Sequence, residues 1–155
     1  MAFKVLSISM APDADHKKHR AQIDIDSLGV EPSRYLLTSE FIPTALETAY
    51  TTLIDDLLVV IEQKFALVRP LRQLRIHGDC HPSNILWRDD TPHIVDFDDA
   101  RNGPAIQDLW LFLSGDRTFQ TNCLADLLDG YCQFREFDAR ELHLLEALLT
   151  LRMIY

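Results

Sequence analysis

The chain has 155 residues, of which 47% are hydrophobic and 25% charged, which is typical of one compact domain rather than a disordered or low-complexity chain. Its 15 Lys and Arg against 24 Asp and Glu give a formal net charge of −9, which argues against nucleic acid or a membrane surface as a partner because both attract cationic side chains. Three widely spaced cysteines and no run of about 20 apolar residues predict a soluble, cytoplasmic protein without disulfides.

The first strong element is a long helix that follows a weakly patterned N-terminal segment. Residues 1–43 carry few signals, and the basic cluster at 16–20 is interpreted as a solvated loop. Helical periodicity begins at Thr44-Ala45-Leu46-Glu47, which has the form of a capping box, and predicts an amphipathic helix over about 45–65. Its expected apolar face comprises Leu46, Tyr50, Leu53, Ile54, Leu57, Leu58, Ile61 and Phe65.

Short strands and then three helices are predicted after Pro70. The apolar runs at 74–76, 85–87 and 93–95 are separated by Gly, Pro, Asn and Asp, and they predict very short strands with polar loops at their ends. Helical spacing then returns at 106–113, at about 119–135 and from Asp138 onward, where Asp138 and Glu141 are expected to form the cap. The expected apolar face of the last helix comprises Leu142, Leu145, Leu149 and Met153. This order predicts a mainly helical α+β fold with a small β-hairpin region.

The polar residues between positions 77 and 99 are those that can carry chemistry. In phosphoryl transfer from ATP, a carboxylate lies beside the attacking hydroxyl and oxygen ligands hold Mg²⁺ on the phosphates. An Asp followed five residues later by an Asn, with a second Asp after the next hairpin, can supply the base and two metal ligands. Asp79, Asn84 and Asp96 have this order and spacing. Because Mg²⁺ prefers oxygen, these residues suit it better than the nearby histidines.

Two strings carry a resemblance to a known family: HGDCHPSNILW at residues 77–87 and IVDFDDARNGPAIQDLW at residues 94–110. They resemble the catalytic core of the aminoglycoside phosphotransferase-like kinases, and most closely the bacterial stress response kinase A family of Ser/Thr protein kinases. The resemblance is strong from about 74 to 116 and weaker to Tyr155. It implies a protein-kinase-like C-terminal lobe, ATP as co-substrate, Mg²⁺ as cofactor, and a protein substrate with a Ser or Thr acceptor.

The same resemblance assigns roles to individual residues. It makes Asp79 the catalytic base and Asn84 and Asp96 the Mg²⁺ ligands. It makes His77 and Asp108 supports of the catalytic loop. Two secondary candidates for metal or substrate binding complete the set: Asp98 and His81.

The resemblance also bears on domain organisation. Residues 1–155 are expected to form a single C-lobe domain, with 1–43 weakly assigned and the catalytic and metal-binding core at 74–116. The family's N-terminal lobe has a phosphate-covering loop and a strand Lys paired with a helix Glu, and nothing before residue 74 matches either part. We therefore expect the N-terminal ATP lobe to be absent and the activity of a chain truncated in this way to be impaired.

Three other interpretations stay open. A small-molecule kinase for an aminoglycoside, choline or homoserine-like substrate would share this core, because substrate choice depends on loops outside it. A non-catalytic kinase-lobe remnant could act as an interaction module and self-associate through the surface that an N-lobe would cover. A metallohydrolase site at His77-x-Asp79-x-His81 is disfavoured, because zinc sites require more convergent histidines.

The aromatic and thiol side chains near the motif are assigned structural roles. Trp87, Trp110 and Phe97 are expected to be buried rather than to stack on adenine. Cys80 is expected to pack rather than to react, because no Lys or helix N-terminus that would lower its pKa is evident in the sequence.

Overall fold

The computed structural model describes residues 21–155, so the predicted solvated loop at 16–20 lies outside the described residues. The α-helices are α1 (Glu31–Thr38), α2 (Thr44–Ala66), α3 (Ile106–Leu109), α4 (Arg117–Cys132) and α5 (Leu145–Ile154). The strands are β1 (Leu74–Ile76), β2 (Ile85–Arg88), β3 (Thr91–Ile94) and β4 (Arg101–Gly103). Helices dominate, and none within residues 21–155 is long and apolar enough to cross a membrane.

The strands form two small antiparallel sheets. β1 pairs with β4, with Leu74 opposite Gly103, and β2 pairs with β3, with Ile85 opposite Ile94. The predicted strands at 74–76 and 85–87 are therefore confirmed, whereas the third lies slightly earlier than expected. The strand β4 was not predicted because its sequence, Arg-Asn-Gly, has little β propensity. Its pairing with β1 is a tertiary contact that local sequence does not encode.

Helix α2 agrees with its prediction to within one residue at each end, but its capping differs and only part of its predicted apolar face is buried. Pro43 occupies the N-cap position, Thr44 is already helical, and no side-chain hydrogen bond caps the helix, so the predicted capping box is wrong. The buried residues of α2 are Ile54, Ile61 and Phe65. Leu46 and Leu53 are each 56% exposed because the packing of α2 is concentrated toward its C-terminal half.

The helix predicted from Asp138 begins with a different winding. The Asp138 carboxylate accepts a hydrogen bond from the backbone N–H of Arg140, and a 3₁₀ segment, Ala139–Leu144, precedes α5. The expected apolar face is wrong, since Met153 is 81% exposed. The buried residues of this region include Leu144, Ala147, Leu148 and Leu151. Apolar residues occupy most positions from 142 to 151, so their spacing alone could not identify the buried face.

One core joins the N-terminal segment to the last helix. Its buried members are Ile23, Ile61, Phe65, Val68, Ile76, Ile106, Leu144, Ala147, Leu148 and Leu151. The weakly patterned segment contributes to it: a π-helical turn, Asp26–Val30, runs directly into α1. This helix was not predicted, although Pro32 lies in its first turn, where a missing N–H costs nothing.

Glu141 is a buried carboxyl group at the junction of α3 and α5. It is 2% exposed, and its Oε2 accepts a hydrogen bond from the backbone N–H of Ile106 at 3.0 Å. The sequence predicted a cap with Asp138, but Glu141 instead binds the start of α3, 35 residues away. Burial raises the pKa of Glu141, and the hydrogen bond from Ile106 partly opposes that shift.

We expect Glu141→Gln to change how stability depends on pH. Because burial raises the folded-state pKa of Glu141 above its ordinary 4.5, the folded protein keeps a proton that the unfolded chain releases. Wild-type stability therefore falls as pH rises from 4.5 through the folded-state pKa, and the Gln variant lacks this loss. Thermal unfolding between about pH 4 and 8 should show the stability of the variant increasing relative to that of the wild type as the pH rises. The exposed Glu146→Gln is the control, and parallel curves for Glu141→Gln and wild type would contradict the prediction.

Candidate active site

The catalytic loop predicted from the sequence follows β1 and is fixed to α3 by one carboxylate. Asp108 Oδ2 accepts a hydrogen bond from the backbone N–H of His77 at 2.7 Å, and Oδ1 accepts one from Gly78 at 2.9 Å. Burial raises the pKa of Asp108, and these two N–H groups oppose the shift. Asp108 therefore holds two successive peptide groups of the loop in place.

Gly78 is required by the shape of this loop. Its φ of +90° lies in the left-handed region, and a Cβ placed there would be 2.2 Å from the backbone oxygen of Asp99. The Gly78 carbonyl accepts a hydrogen bond from Gln107 Nε2 at 3.2 Å. The loop therefore lies tightly between the turn after β3 and helix α3.

His77 joins the catalytic loop to the segment that follows β3. Its Nε2 lies 2.8 Å from the carbonyl oxygen of Val95, and its Nδ1 lies 3.3 Å from the backbone N–H of Asp79. Since a carbonyl only accepts and an N–H only donates, these partners assign the ring proton to Nε2. Both ring nitrogens are thus occupied by protein, which argues against the metallohydrolase interpretation. The ring also contacts Phe97, with centroids 4.8 Å apart.

The Asp79 side chain lies at the wall of a cavity of about 300 Å³. Its Oδ1 accepts a hydrogen bond from Arg152 Nη1 at 2.8 Å. Its Oδ2 lies 3.5 Å from Nε2 of His81, whose Nδ1 accepts a hydrogen bond from Ser83 N–H. The side chain is 24% exposed, so the carboxylate is both held by protein and open to a bound molecule.

Asn84 and Asp96 are brought to the same end of the β2–β3 hairpin. Asn84 Nδ2 donates to the Asp79 carbonyl at 3.0 Å, and the Val95 N–H donates to the Asn84 carbonyl at 3.0 Å. Asp96 follows directly, exposed, with a φ of +64° that Asp tolerates better than most residues. Asp98 is exposed in the next turn, and across residues 21–155 no hydrogen bond joins its side chain to this group.

The metal-binding capacity of this group depends on oxygen atoms. Within the described range, no cluster of three or more His, Cys, Asp and Glu side chains could hold an ion. Asn84 is not among those residue types, and its amide nitrogen, not its amide oxygen, makes the hydrogen bond to the Asp79 carbonyl. An amide oxygen and a nearby carboxylate are donors that fit Mg²⁺.

The surrounding aromatic side chains only partly agree with their predicted burial. Trp87 is 60% exposed and Phe97 is 42% exposed, so burial was wrongly predicted for both. The β2–β3 hairpin has only two strands and leaves one face in water, which accounts for the exposure of Trp87. Trp110 is half-buried, and its Nε1 donates to Gln107 at 3.3 Å. Cys80 is buried as expected, and burial together with the charges of Asp108 and Asp79 raises its pKa to about 12.

The structure also places at the site a residue that the sequence did not single out. Arg152 reaches Asp79 from α5, 73 residues away. At the same cavity, Arg101 forms a 2.6 Å ion pair with Asp99, two residues earlier in the chain. Arg152 lies four residues after the buried Leu148, so helical spacing would assign both to one face. Nothing local in the sequence indicates that this face meets the catalytic loop.

Comparison with known proteins supports the motif-based resemblance. The model of a family described as "Phosphotransferase enzyme family" matches residues 14–145. Stress response kinase A of Escherichia coli O157:H7 is 41% identical over 137 residues, which cover 88% of this chain and 41% of the relative. A protein of Salmonella typhimurium named "Serine/threonine protein kinase RdoA" is 40% identical over 136 residues, covering 88% and 40% respectively.

These matches confirm the resemblance to stress response kinase A, and the observed mixture of helices with small antiparallel sheets agrees with the predicted α+β class. The chain spans about two fifths of the length of the curated relatives it matches. The family match includes the catalytic loop, the β2–β3 hairpin and α3, and extends over most of the chain. The chain therefore belongs to the phosphotransferase enzyme family.

Proposed function

We propose that this chain carries the catalytic-base and metal-binding side of an ATP- and Mg²⁺-dependent phosphotransferase that acts on a Ser or Thr hydroxyl of a protein. The observation that carries the proposal is the position of Asp79. Its backbone is bound by His77 on one side and Asn84 on the other, and its carboxylate lines a cavity. A general base must lie within hydrogen-bond reach of the hydroxyl it deprotonates, and a carboxylate in this position can do so.

In the proposed reaction, Asp79 accepts the proton of the acceptor hydroxyl. The hydroxyl oxygen forms a bond to the terminal phosphorus of ATP as the bond from that phosphorus to the ADP oxygen breaks. His77 and Asp108 take no part in proton transfer, and their hydrogen bonds keep the loop backbone in one conformation. A carboxylate held in advance reacts faster because less ordering is needed at the transition state.

Asn84 and Asp96 are the residues proposed to hold Mg²⁺. The amide orientation of Asn84 leaves its oxygen available, and Asp96 supplies a carboxylate next to Val95, which bonds the Asn84 backbone. With Mg²⁺ held there, the negative charge on the ATP phosphates would be partly neutralised. Because the chain spans about two fifths of its relatives, we propose these roles for the described part of the site only.

The proposed acceptor, a protein hydroxyl, rests on the name of a relative, and a small alcohol is the alternative acceptor. The Salmonella relative is named a Ser/Thr protein kinase, which supports a protein hydroxyl as the acceptor. The cavity beside Asp79, of about 300 Å³, is also within the size range of small-ligand sites and supports a small alcohol as the second candidate. Comparing phosphate incorporation into a Ser/Thr peptide library and into aminoglycosides, choline and homoserine separates the two.

An interaction module is the third candidate, and a specific feature favours it. Several large apolar side chains around α1 and the start of α2 are more than half exposed: Tyr35, Phe41, Leu46 and Leu53. Such side chains on neighbouring elements can contribute to a protein contact. Self-association through this surface would be a function independent of Asp79.

Calorimetric titration of the full chain with ATP, with and without Mg²⁺, tests the metal and nucleotide roles. We expect Mg²⁺-dependent binding that is lost in Asp96→Ala and kept in Asp129→Ala, an exposed position on α4. Equal binding by the wild type and Asp96→Ala would contradict the metal role of Asp96. If the wild type binds no ATP, the proposal that this chain holds the nucleotide fails and the interaction module is favoured.

A further inference from the structure

Arg152 is the one side chain outside the catalytic loop that bonds the Asp79 carboxylate among residues 21–155. Its Nη1 donates to Asp79 Oδ1 at 2.8 Å. It extends from α5, whose residues Ala147, Leu148 and Leu151 are buried in the core. The backbone that carries Arg152 is therefore anchored, while the guanidinium is 46% exposed at the edge of the cavity.

Folding stability gives little reason for this ion pair. Both partners retain contact with solvent, at 46% and 24% exposure, and exposed ion pairs contribute little because water screens them. The backbone of Asp79 is already held by His77 and Asn84. The backbone contacts do not fix the side-chain torsion that turns the carboxylate. Arg152 bonds the carboxylate itself at 2.8 Å, whereas His81 Nε2 lies farther away, at 3.5 Å from Oδ2.

We propose that Arg152 is a positioning residue that turns the Asp79 carboxylate toward the acceptor hydroxyl. By bonding Oδ1, the guanidinium leaves Oδ2, whose nearest protein partner is His81 Nε2 at 3.5 Å, to accept the proton. A guanidinium suits this task because its planar, delocalised group keeps its donors in fixed directions, whereas a Lys ammonium is a compact charge on a flexible stem. The role of Arg152 rests on the proposed function of Asp79 as the base.

The test compares Arg152→Met, Arg152→Lys and Arg69→Met in the full chain. Arg69 forms an ion pair of 2.6 Å with Glu62, both partners being exposed, and serves as the matched control. Phosphate transfer from Mg-ATP to dephosphorylated casein and to a Ser/Thr peptide library is measured, with kcat and KM for ATP determined separately. Circular dichroism checks that each variant is folded, and Arg152→Lys keeps the test available if the Met variant does not fold.

We expect Arg152→Met to lower kcat about 10- to 100-fold, the scale for a misplaced catalytic group, with KM for ATP changed less than about twofold. Arg152→Lys should recover part of the loss, and Arg69→Met should match wild type. Because Arg152 acts through Asp79, adding Arg152→Met to Asp79→Asn should lower kcat no further.

Three other outcomes overturn the positioning role, and a fourth overturns the proposed function together with it. An active wild type whose kcat is unchanged by Arg152→Met overturns the positioning role alone. A higher KM with unchanged kcat does the same, since it assigns Arg152 to substrate binding. A further loss in the double variant shows that Arg152 acts independently of Asp79 and also overturns the role. If the wild type transfers no phosphate to any acceptor, the proposed function fails and the role of Arg152 fails with it.

Discussion

Replacing Asp79 by Asn is expected to lower the rate of phosphoryl transfer about 10²- to 10⁴-fold, the usual contribution of a general acid or base. Asn has the shape of Asp, and its amide oxygen can still accept the hydrogen bond from Arg152. It cannot accept the proton of the acceptor hydroxyl. The backbone bonds that Asp79 makes with His77 and Asn84 do not involve the side chain, so the loop should keep its conformation.

Phosphate incorporation into the Ser/Thr peptide library, followed with labelled ATP, measures this loss. Asp129→Asn on α4 is the matched control, because the same substitution is made at an exposed position away from the cavity. ATP binding by calorimetry should stay within about threefold of wild type, which separates loss of the base from loss of the nucleotide. A variant that keeps most of the wild-type rate would remove Asp79 from the proposed chemistry.

The parts of the fold that the sequence predicts well are those fixed by local pattern. Helix α2 follows from a long stretch of apolar residues at helical spacing. Strands β1 and β2 follow from short apolar runs bounded by polar residues. The three buried residues of α2 lie on its predicted face, whereas the buried face of α5 was predicted poorly. In α5, leucine is so frequent that contacts with the core, rather than spacing, determine that Leu148 is buried and Met153 is exposed.

The residues of the candidate site likewise fall into those that local spacing predicts and those that it does not. Asp79, Asn84 and Asp96 could be proposed from spacing because one loop and one hairpin bring them together. Arg152 and Glu141 could not, because their partners lie 73 and 35 residues away along the chain. Glu141 binds the first turn of α3, and Asp108 on α3 binds the catalytic loop. The loop is thus connected to the core through the buried carboxyl group of Glu141 and the half-buried one of Asp108. Local sequence does not indicate the partner of either group.

This connection makes Asp108 a position at which substitution should cost substantial stability. Asp108→Ala removes the acceptor of both the His77 and Gly78 N–H groups, at 2.7 and 2.9 Å. An unsatisfied buried donor costs about 1–3 kcal/mol, so the two together should lower the free energy of unfolding by about 2–6 kcal/mol. Asp108→Asn keeps one acceptor oxygen but turns its NH₂ toward the other N–H. It should therefore lower the free energy of unfolding by an intermediate amount.

Urea denaturation followed by circular dichroism measures these differences, and hydrogen exchange at the Gly78 amide locates them. Exchange at Gly78 should accelerate in Asp108→Ala more than exchange at amides within α4, because only the catalytic loop loses its acceptor. The rate of phosphoryl transfer should also fall in Asp108→Ala, since a loop that samples several conformations no longer holds Asp79 beside the acceptor. A loss below about 1 kcal/mol, with Gly78 exchange unchanged, would mean that water replaces the carboxylate and that the loop is held by its other contacts.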